Sequence, residues 1–392
     1  MSALDFSRWA LIAPNNDSGL GRMAQDMKAI LPLGRHYVCD SSTLPNRPLS
    51  GPRESLFPAE CSDEDLEARL EGLKGILFFE SHAWHPRLLQ TTRRMGVRSV
   101  CVPMWEWFRG RSPQWENCDF FACPNALCLR VVRSYGFTNS DCIPWTLDLQ
   151  RLPARQVCGA ARRFVHNGGI MDPDDRKGTR DTLAAFTRIS DPTLRLDVRL
   201  QKAEAISSQD SRIAIHTGNL PDPAALYSEG DAFIQPSKLE GMGFSVLEAV
   251  ASGLPVITLD APPMNEWVRQ PQLLASARLF RYPAYSSAWI EHSHLRLPRA
   301  ASLARKIEWA AAHDLGVISS QNRAWAEDTF DSSHLLACWE NTLASILRQT
   351  PSSSITTRAE PTLPCHSVAS RIRRAAESNI GRKIPYLKSP FP

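Results

Sequence analysis

The sequence predicts an α/β fold of two domains, each a parallel sheet flanked by helices. Three observations carry that expectation. The chain has 392 residues, 43% of them hydrophobic and 22% charged; that is too long for one ordinary domain and leaves ample apolar material for two cores. Buried-strand runs alternate with helical patterns along most of its length, as crossover helices between parallel strands require. The alternation also starts afresh after the polar stretch "DLQRLPARQVCGA", which places a boundary near residues 150–160.

In the first half, "RWALIAPNNDSGLGRMAQDMKAIL" reads as a buried strand, a glycine-containing turn and a helix. "KGILFFE" followed by "SHAWHPRLLQTTRRMG" repeats the pattern, and "VRSVCVPMW" and "CDFFACPN" are further strand candidates. The second series opens at "RRFVHNGGI" and runs through "TLAAFTRI", "TLRLDVRLQ", "IAIHTG", "AALYSEGDAFIQPS" and "FSVLEAVASGLPVITLD". "SLARKIEWAAAHDLG" and "SSHLLACWENTLASILRQ" carry helical periodicity with polar outer faces. These readings give domains at 1–155 and 156–350, then a tail at 351–392 that is rich in Ser, Thr, Pro and Arg. Its weak periodicity predicts a disordered or loosely docked segment.

The net charge of +4 is unevenly placed. The tail holds seven Lys/Arg against two acids, leaving 38 basic against 39 acidic residues in the rest of the chain. Such a tail suits contact with an anionic surface, either an acidic membrane or nucleic acid, or else simple solvation. No apolar run approaches the roughly 18–20 residues that span a bilayer. The opening "MSALDFSRWALIAPNN" does not read as a secretory signal, so the expected location is cytoplasmic, with peripheral membrane contact left open. Cys118, Cys123 and Cys128 recur every five residues without a Cys-x-x-Cys pair or matching His. They read as buried thiols rather than zinc ligands.

The most informative segment is "GDAFIQPSKLEGMGFSVLEAVASGLPVITLD". A buried strand ends at Pro236 and Ser237, a loop follows with Gly241 and Gly243, and a helix begins there and stops at Gly253. Glycines just before a helix let backbone N–H groups approach an anion, and the helix N-terminus adds positive potential. A diphosphate held there would lie at the C-terminal edge of a parallel sheet, where ligands of open α/β folds bind. Glu240 in the loop and Glu248 in the helix are separated by seven residues. Carboxylates so placed can accept hydrogen bonds from sugar hydroxyls on either side of the diphosphate.

This segment resembles the Glu-seven-residues-Glu signature of retaining GT-B glycosyltransferases, notably glycosyltransferase family 4 (glycosyl transferases group 1). The resemblance implies two Rossmann-like domains facing each other across a cleft, the first on the acceptor side and the second binding the nucleotide sugar. It implies that Glu248 binds the ribose, while Glu240 and the backbone of Gly241, Met242, Gly243 and Phe244 face the donor sugar and diphosphate. Glu266 in "MNEWV" matches a further acidic position. "FVHNGGIMDPDDRKGTRDTLAAF" resembles the family's strand, glycine turn and "KG", which casts Lys177 as the cation that offsets charge on the leaving diphosphate. The family commonly places an Arg directly after that strand. Here the position reads His166, Asn167, Gly168 and Gly169, so Arg176, Arg180 or a residue elsewhere is left to supply the second phosphate contact beside Gly168. "DPDD", Asp172 to Asp175, has the look of a metal-binding Asp-x-Asp, but its place between a strand and a helix suits turns and caps. The resemblance implies no metal and no cofactor beyond the nucleoside diphosphate sugar, with UDP favoured.

The first half matches the family in outline. "NNDSGLGRMAQDM" resembles its first glycine loop, which implies that Gly19 and Gly21 approach the ligand across the cleft. "LFFESHAWHP" ends a buried strand with His82 placed to contact the acceptor or donor-sugar hydroxyls, or to serve as a structural histidine. "PMWEWFRGRSPQW" offers Trp105, Trp107 and Trp115 among arginines, either to stack a ligand or to pack a long loop. Together these features predict transfer of a sugar to an acceptor hydroxyl with retention of configuration. The acceptor is a glycan, a lipid-linked precursor or modified nucleic acid. A sugar-nucleotide epimerase and a non-catalytic sugar-nucleotide-binding subunit are the alternatives.

Overall fold

A computed structural model describes residues 4–40, 44–58, 60–81, 84–171, 175–202, 206–280 and 295–349. His82, Asp172 to Asp174 and the tail from residue 350 lie outside the described residues.

The first half forms a seven-stranded sheet from β1 (Trp9–Ala13), β2 (Arg35–Cys39), β3 (Glu54–Phe57), β4 (Gly75–Phe79), β5 (Arg98–Val102), β6 (Phe120–Cys123) and β7 (Ser140–Cys142). Its order is β3-β2-β1-β4-β5-β6-β7, with every pairing parallel. The central strands β1 and β4 are buried along their whole length, as expected of strands covered on both faces. Helices α1 (Gly19–Ile30), α2 (Asp63–Leu70), α3 (Leu88–Met95) and α4 (Ala126–Ser134) make the crossovers. The Trp105 and Trp115 side chains are buried, and Trp115 packs with Phe78, Phe108 and Phe121, so both fill the core of their loop. Trp107 is 41% exposed and leaves that core. Cys118, Cys123 and Cys128 are buried thiols; burial pushes Cys118 up to about 12.

The second sheet is built from β8 (Arg163–Gly169), β9 (Arg195–Leu200), β10 (Ile213–Thr217), β11 (Ala232–Gln235), β12 (Val256–Leu259) and β13 (Leu274–Ala275). It runs β10-β9-β8-β11-β12-β13, again all parallel. Helices α5 (Thr179–Phe186), α6 (Phe244–Ala251), α7 (Met264–Trp267), α8 (Ala300–Ala312) and α9 (Gly316–Thr329) belong to this half, and β14 (Ala277–Phe280) pairs antiparallel with β15 (Leu295–Pro298). Val246, Leu247 and Val250 on α6 are fully buried, so Leu247→Ala would cost about 2–5 kcal/mol.

In each sheet the chain reverses direction of growth between its two central strands, β1/β4 and β8/β11. Helices leave such a pair toward opposite faces and open a crevice at the carboxyl ends. The two halves touch across that region. The last helix, α10 (Ser332–Arg348), also returns to the first half, where Trp339 Nε1 donates to Pro144 O at 3.2 Å and Glu340 Oε1 accepts from Leu4 N at 2.8 Å.

Candidate functional site

The carboxyl ends of β8 and β11 carry the loops that hold most of the sequence-predicted residues. After β11 the loop 236–243 leads into α6, whose N-cap Gly243 has φ +72°. A side chain is strained in that left-handed region, although a Cβ would meet Met264 and Trp267 only at ordinary contact distance. Val246 and Leu247 donate to Gly243 O, and among the described residues no side chain is seen to accept from the first-turn N–H groups.

Three consecutive carbonyls of this loop accept side-chain hydrogen bonds. Trp105 Nε1 donates to Glu240 O at 2.7 Å, Asn125 Nδ2 to Gly241 O at 3.0 Å and Trp267 Nε1 to Met242 O at 2.6 Å. In a trans peptide the N–H points opposite to the C=O. Fixing those carbonyls therefore turns the N–H groups of Gly241, Met242 and Gly243 the other way, as an anion cradle requires. Two of the three clamps come from the first half of the chain. Met242 is buried, and Phe244 begins α6 with its side chain half-buried.

Glu240 is 7% exposed and meets Lys177 Nζ at 2.6 Å and Arg176 Nη1 at 3.2 Å. Burial alone would raise this carboxyl, but Lys177 and Arg176 hold it down at about 2. The fold thus brings Lys177, Arg176 and Glu240 together, although Glu240 follows Lys177 by 63 positions in the chain. The loop that carries the two cations is tied to the β11 loop through Lys238 N and Arg176 O at 2.8 Å. Arg180 instead lies on α5, its N–H bonded to Asp175.

The β8 end is structural where the resemblance looks for an arginine. His166 is fully buried, with Nδ1 2.8 Å from Ile234 O and Nε2 2.9 Å from Thr179 Oγ1. The carbonyl accepts, so Nδ1 carries the proton and Nε2 accepts the Thr179 hydroxyl. Burial lowers its pKa to about 4, so the ring is neutral and ties β8 to β11 and α5. Asn167 Nδ2 donates to Ser245 Oγ at 3.2 Å, linking β8 to the first turn of α6. Gly168 packs so closely that a Cβ would lie 2.5 Å from Leu200 Cδ2. Of the acidic run, Asp175 caps α5, accepting from the N–H groups of Thr179 (2.8 Å) and Arg180 (2.9 Å).

Glu248 sits on α6, 7% exposed, and accepts from Arg151 Nη2 at 2.6 Å and from the Tyr227 hydroxyl at 2.5 Å. Arg151 also reaches Asp26 of α1 at 3.2 Å, so this carboxylate stands where the two halves meet. Burial pushes Asp26 up to about 7 against the pull of Arg151. Sequence reasoning missed Arg151, Tyr227 and Asp26. Arg151 falls in the polar stretch read as a boundary, and a single basic residue there gives no signal.

Glu266 accepts from the N–H groups of Ala126 (2.8 Å) and Leu127 (3.0 Å), placing a carboxylate at the positive end of α4. It clamps the halves together. In the first half, Gly21 packs on Asn16, whose O would lie 2.1 Å from a Cβ, while Gly19 has open space around it and Ser18 caps the helix. Gly21 thus secures the helix against its own loop. Among the described residues no helix is long and apolar enough to cross a membrane.

Residues 161–288 match the family described as "Glycosyl transferases group 1". No curated protein matches the chain. Solved structures of similar fold include a chain of the GtfA/B complex, with a TM-score of 0.51 and 16% identity over 73% of this chain. This chain spans 60% of that protein's length. Anabaena Alr3699/HepE, solved in complex with UDP and glucose, gives a TM-score of 0.59 at 12% identity, covering 86% of this chain and 100% of that one. Sucrose-phosphate synthase (tll1590) from Thermosynechococcus elongatus gives 0.58 at 14% identity, covering 86% and 98%. The fold is GT-B: two parallel-sheet, Rossmann-like domains. The family match falls within the second domain, and the similar solved structures add the fold.

Proposed function

We propose that the chain transfers a sugar from a nucleoside diphosphate sugar to an acceptor hydroxyl, with retention of configuration and without a metal. The observation that carries this reading is the oriented loop: the three N–H groups of Gly241 to Gly243 lie beside the Lys177–Glu240 pair at the end of β11. A diphosphate there meets backbone donors, an uncapped helix N-terminus and a cation. Glu248, ringed by donors, is the acceptor suited to ribose hydroxyls. UDP is the favoured nucleotide, a choice supported by the UDP bound to the structurally similar HepE.

In this mechanism no enzyme carboxylate attacks the anomeric carbon. The bond to the diphosphate breaks, and a leaving diphosphate oxygen accepts the acceptor's proton on the same face. Lys177 and the loop amides stabilise the charge that develops. Contact between the domains excludes water and limits donor hydrolysis. The acceptor class that suits this reading is a glycan or a lipid-linked precursor.

Incubation with UDP-sugars, followed by NMR of the released or transferred sugar, tests it. The expected product keeps the donor's anomeric configuration, and EDTA leaves the rate unchanged. Inverted product, or activity abolished by EDTA and restored by magnesium or manganese, would overturn those parts. The neutral His166 in place of the family's arginine favours a second reading, a subunit that binds sugar nucleotides without turning them over. Binding without any turnover would select it.

A further inference from the structure

Glu106 lies in the loop after β5, between Trp105 and Trp107 of "PMWEWFRGRSPQW", and has no role in the site described so far. It is 9% exposed, and its Oε2 has no hydrogen-bond partner among the described residues. Its carboxyl rests on the donor loop: a Cβ at Gly241 would lie 2.2 Å from Oε1 and 2.6 Å from Oε2. Trp105, the preceding residue, clamps Glu240 O. A buried carboxyl oxygen without a partner is expensive to keep, and a ligand hydroxyl is one way to complete it. The backbone nearby is also strained, because Glu80 at the end of β4 holds φ +58°, rare for a residue with a side chain.

We propose that Glu106 is the residue through which the first domain binds the transferred sugar, its Oε2 pairing with a sugar hydroxyl placed beside Gly241. This rests on the donor reading given above. The groups that face Glu106 are Glu80 after β4, Arg176 before α5, Glu240 of the donor loop and Cys128 on α4. Burial, then the Glu80 charge, pushes Glu106 up to about 8, and burial pushes Glu80 up to about 7. At neutral pH Glu106 therefore carries its proton and donates to the sugar. As pH rises past about 8 the proton is lost, and the carboxylate can then only accept from a sugar hydroxyl, so the pairing reverses its direction.

Calorimetric titration of the full chain with UDP, UDP-glucose, UDP-galactose and UDP-N-acetylglucosamine tests this. In Glu106→Ala the ratio of sugar-nucleotide to UDP affinity is expected to fall about 10-fold for the preferred donor, with UDP binding unchanged. Glu106→Gln, which keeps an N–H donor, should preserve the ratio. The wild-type ratio should change across about pH 8, whereas that of Glu106→Gln stays flat. Equal loss of UDP and sugar-nucleotide affinity, or no loss of either, would overturn the proposal. If the alanine variant does not fold, a glutamine variant with the wild-type pH midpoint overturns it equally. A wild type that binds none of the four would defeat the donor reading itself, a failure that UDP alone reports.

Discussion

Two strand-to-helix junctions stand side by side in the second sheet, β8–α5 and β11–α6, and they treat their backbone in opposite ways. At α5 the helix N–H groups of Thr179 and Arg180 are taken by the Asp175 carboxylate. At α6 the loop carbonyls are taken instead, by Trp105, Asn125 and Trp267, and among the described residues no side chain is seen to cap the helix. Every helix leaves orphan N–H groups at its start. A junction that supplies its own carboxylate is finished as structure, whereas one that fixes its carbonyls keeps its N–H groups for an anion from outside. On the proposed reading the difference separates a scaffold junction from a binding one, and the Glu240 ion pair ties Lys177, the last side chain before α5, to the neighbouring loop.

The sharpest way to break this contrast is Lys177→Ala. Negative charge on the diphosphate grows toward the transition state, so the loss should fall on turnover, with kcat down about 100-fold or more. A raised KM with unchanged kcat would mean that Lys177 contributes only to ground-state binding. Glu248→Ala should weaken donor binding by roughly 10–150-fold, the effect of removing a charged acceptor from buried hydroxyls. Equal affinity by calorimetry would remove Glu248 from the site.

Smaller effects sharpen the comparison. Trp105→Phe keeps the ring but deletes the hydrogen bond to Glu240 O, and should lower donor affinity by roughly 2–10-fold through a less ordered loop. Unchanged affinity would show that the carbonyl clamp does not orient the amides. Asp175→Ala deletes the cap of α5 and should cost about 0.5–2 kcal/mol in a denaturant melt while leaving donor affinity intact. A loss of affinity with no loss of stability would make β8–α5 a ligand junction after all.

Much of this was legible from sequence, for identifiable reasons. The parallel sheets follow from runs such as "WALIA" and "GILFF", which are apolar throughout because both faces are covered. The Glu240 to Glu248 segment was readable because glycine, loop and helix are contiguous there. What escaped depends on side chains converging from afar. Arg151 reaches Glu248 across 97 positions and Trp105 reaches Glu240 across 135, and no local pattern marks either. His166 was read as the gap left by a missing arginine. The structure gives it a purpose of its own, since a neutral, fully buried imidazole can bond two neighbouring elements at once.

The most direct test compares UDP with UMP by calorimetric titration of the full chain. If the amides of Gly241 to Gly243 and Lys177 hold the second phosphate, UDP should bind roughly 10–150-fold more tightly than UMP, the worth of a charge-assisted hydrogen bond. Equal affinities for the two nucleotides would contradict a diphosphate site at the start of α6.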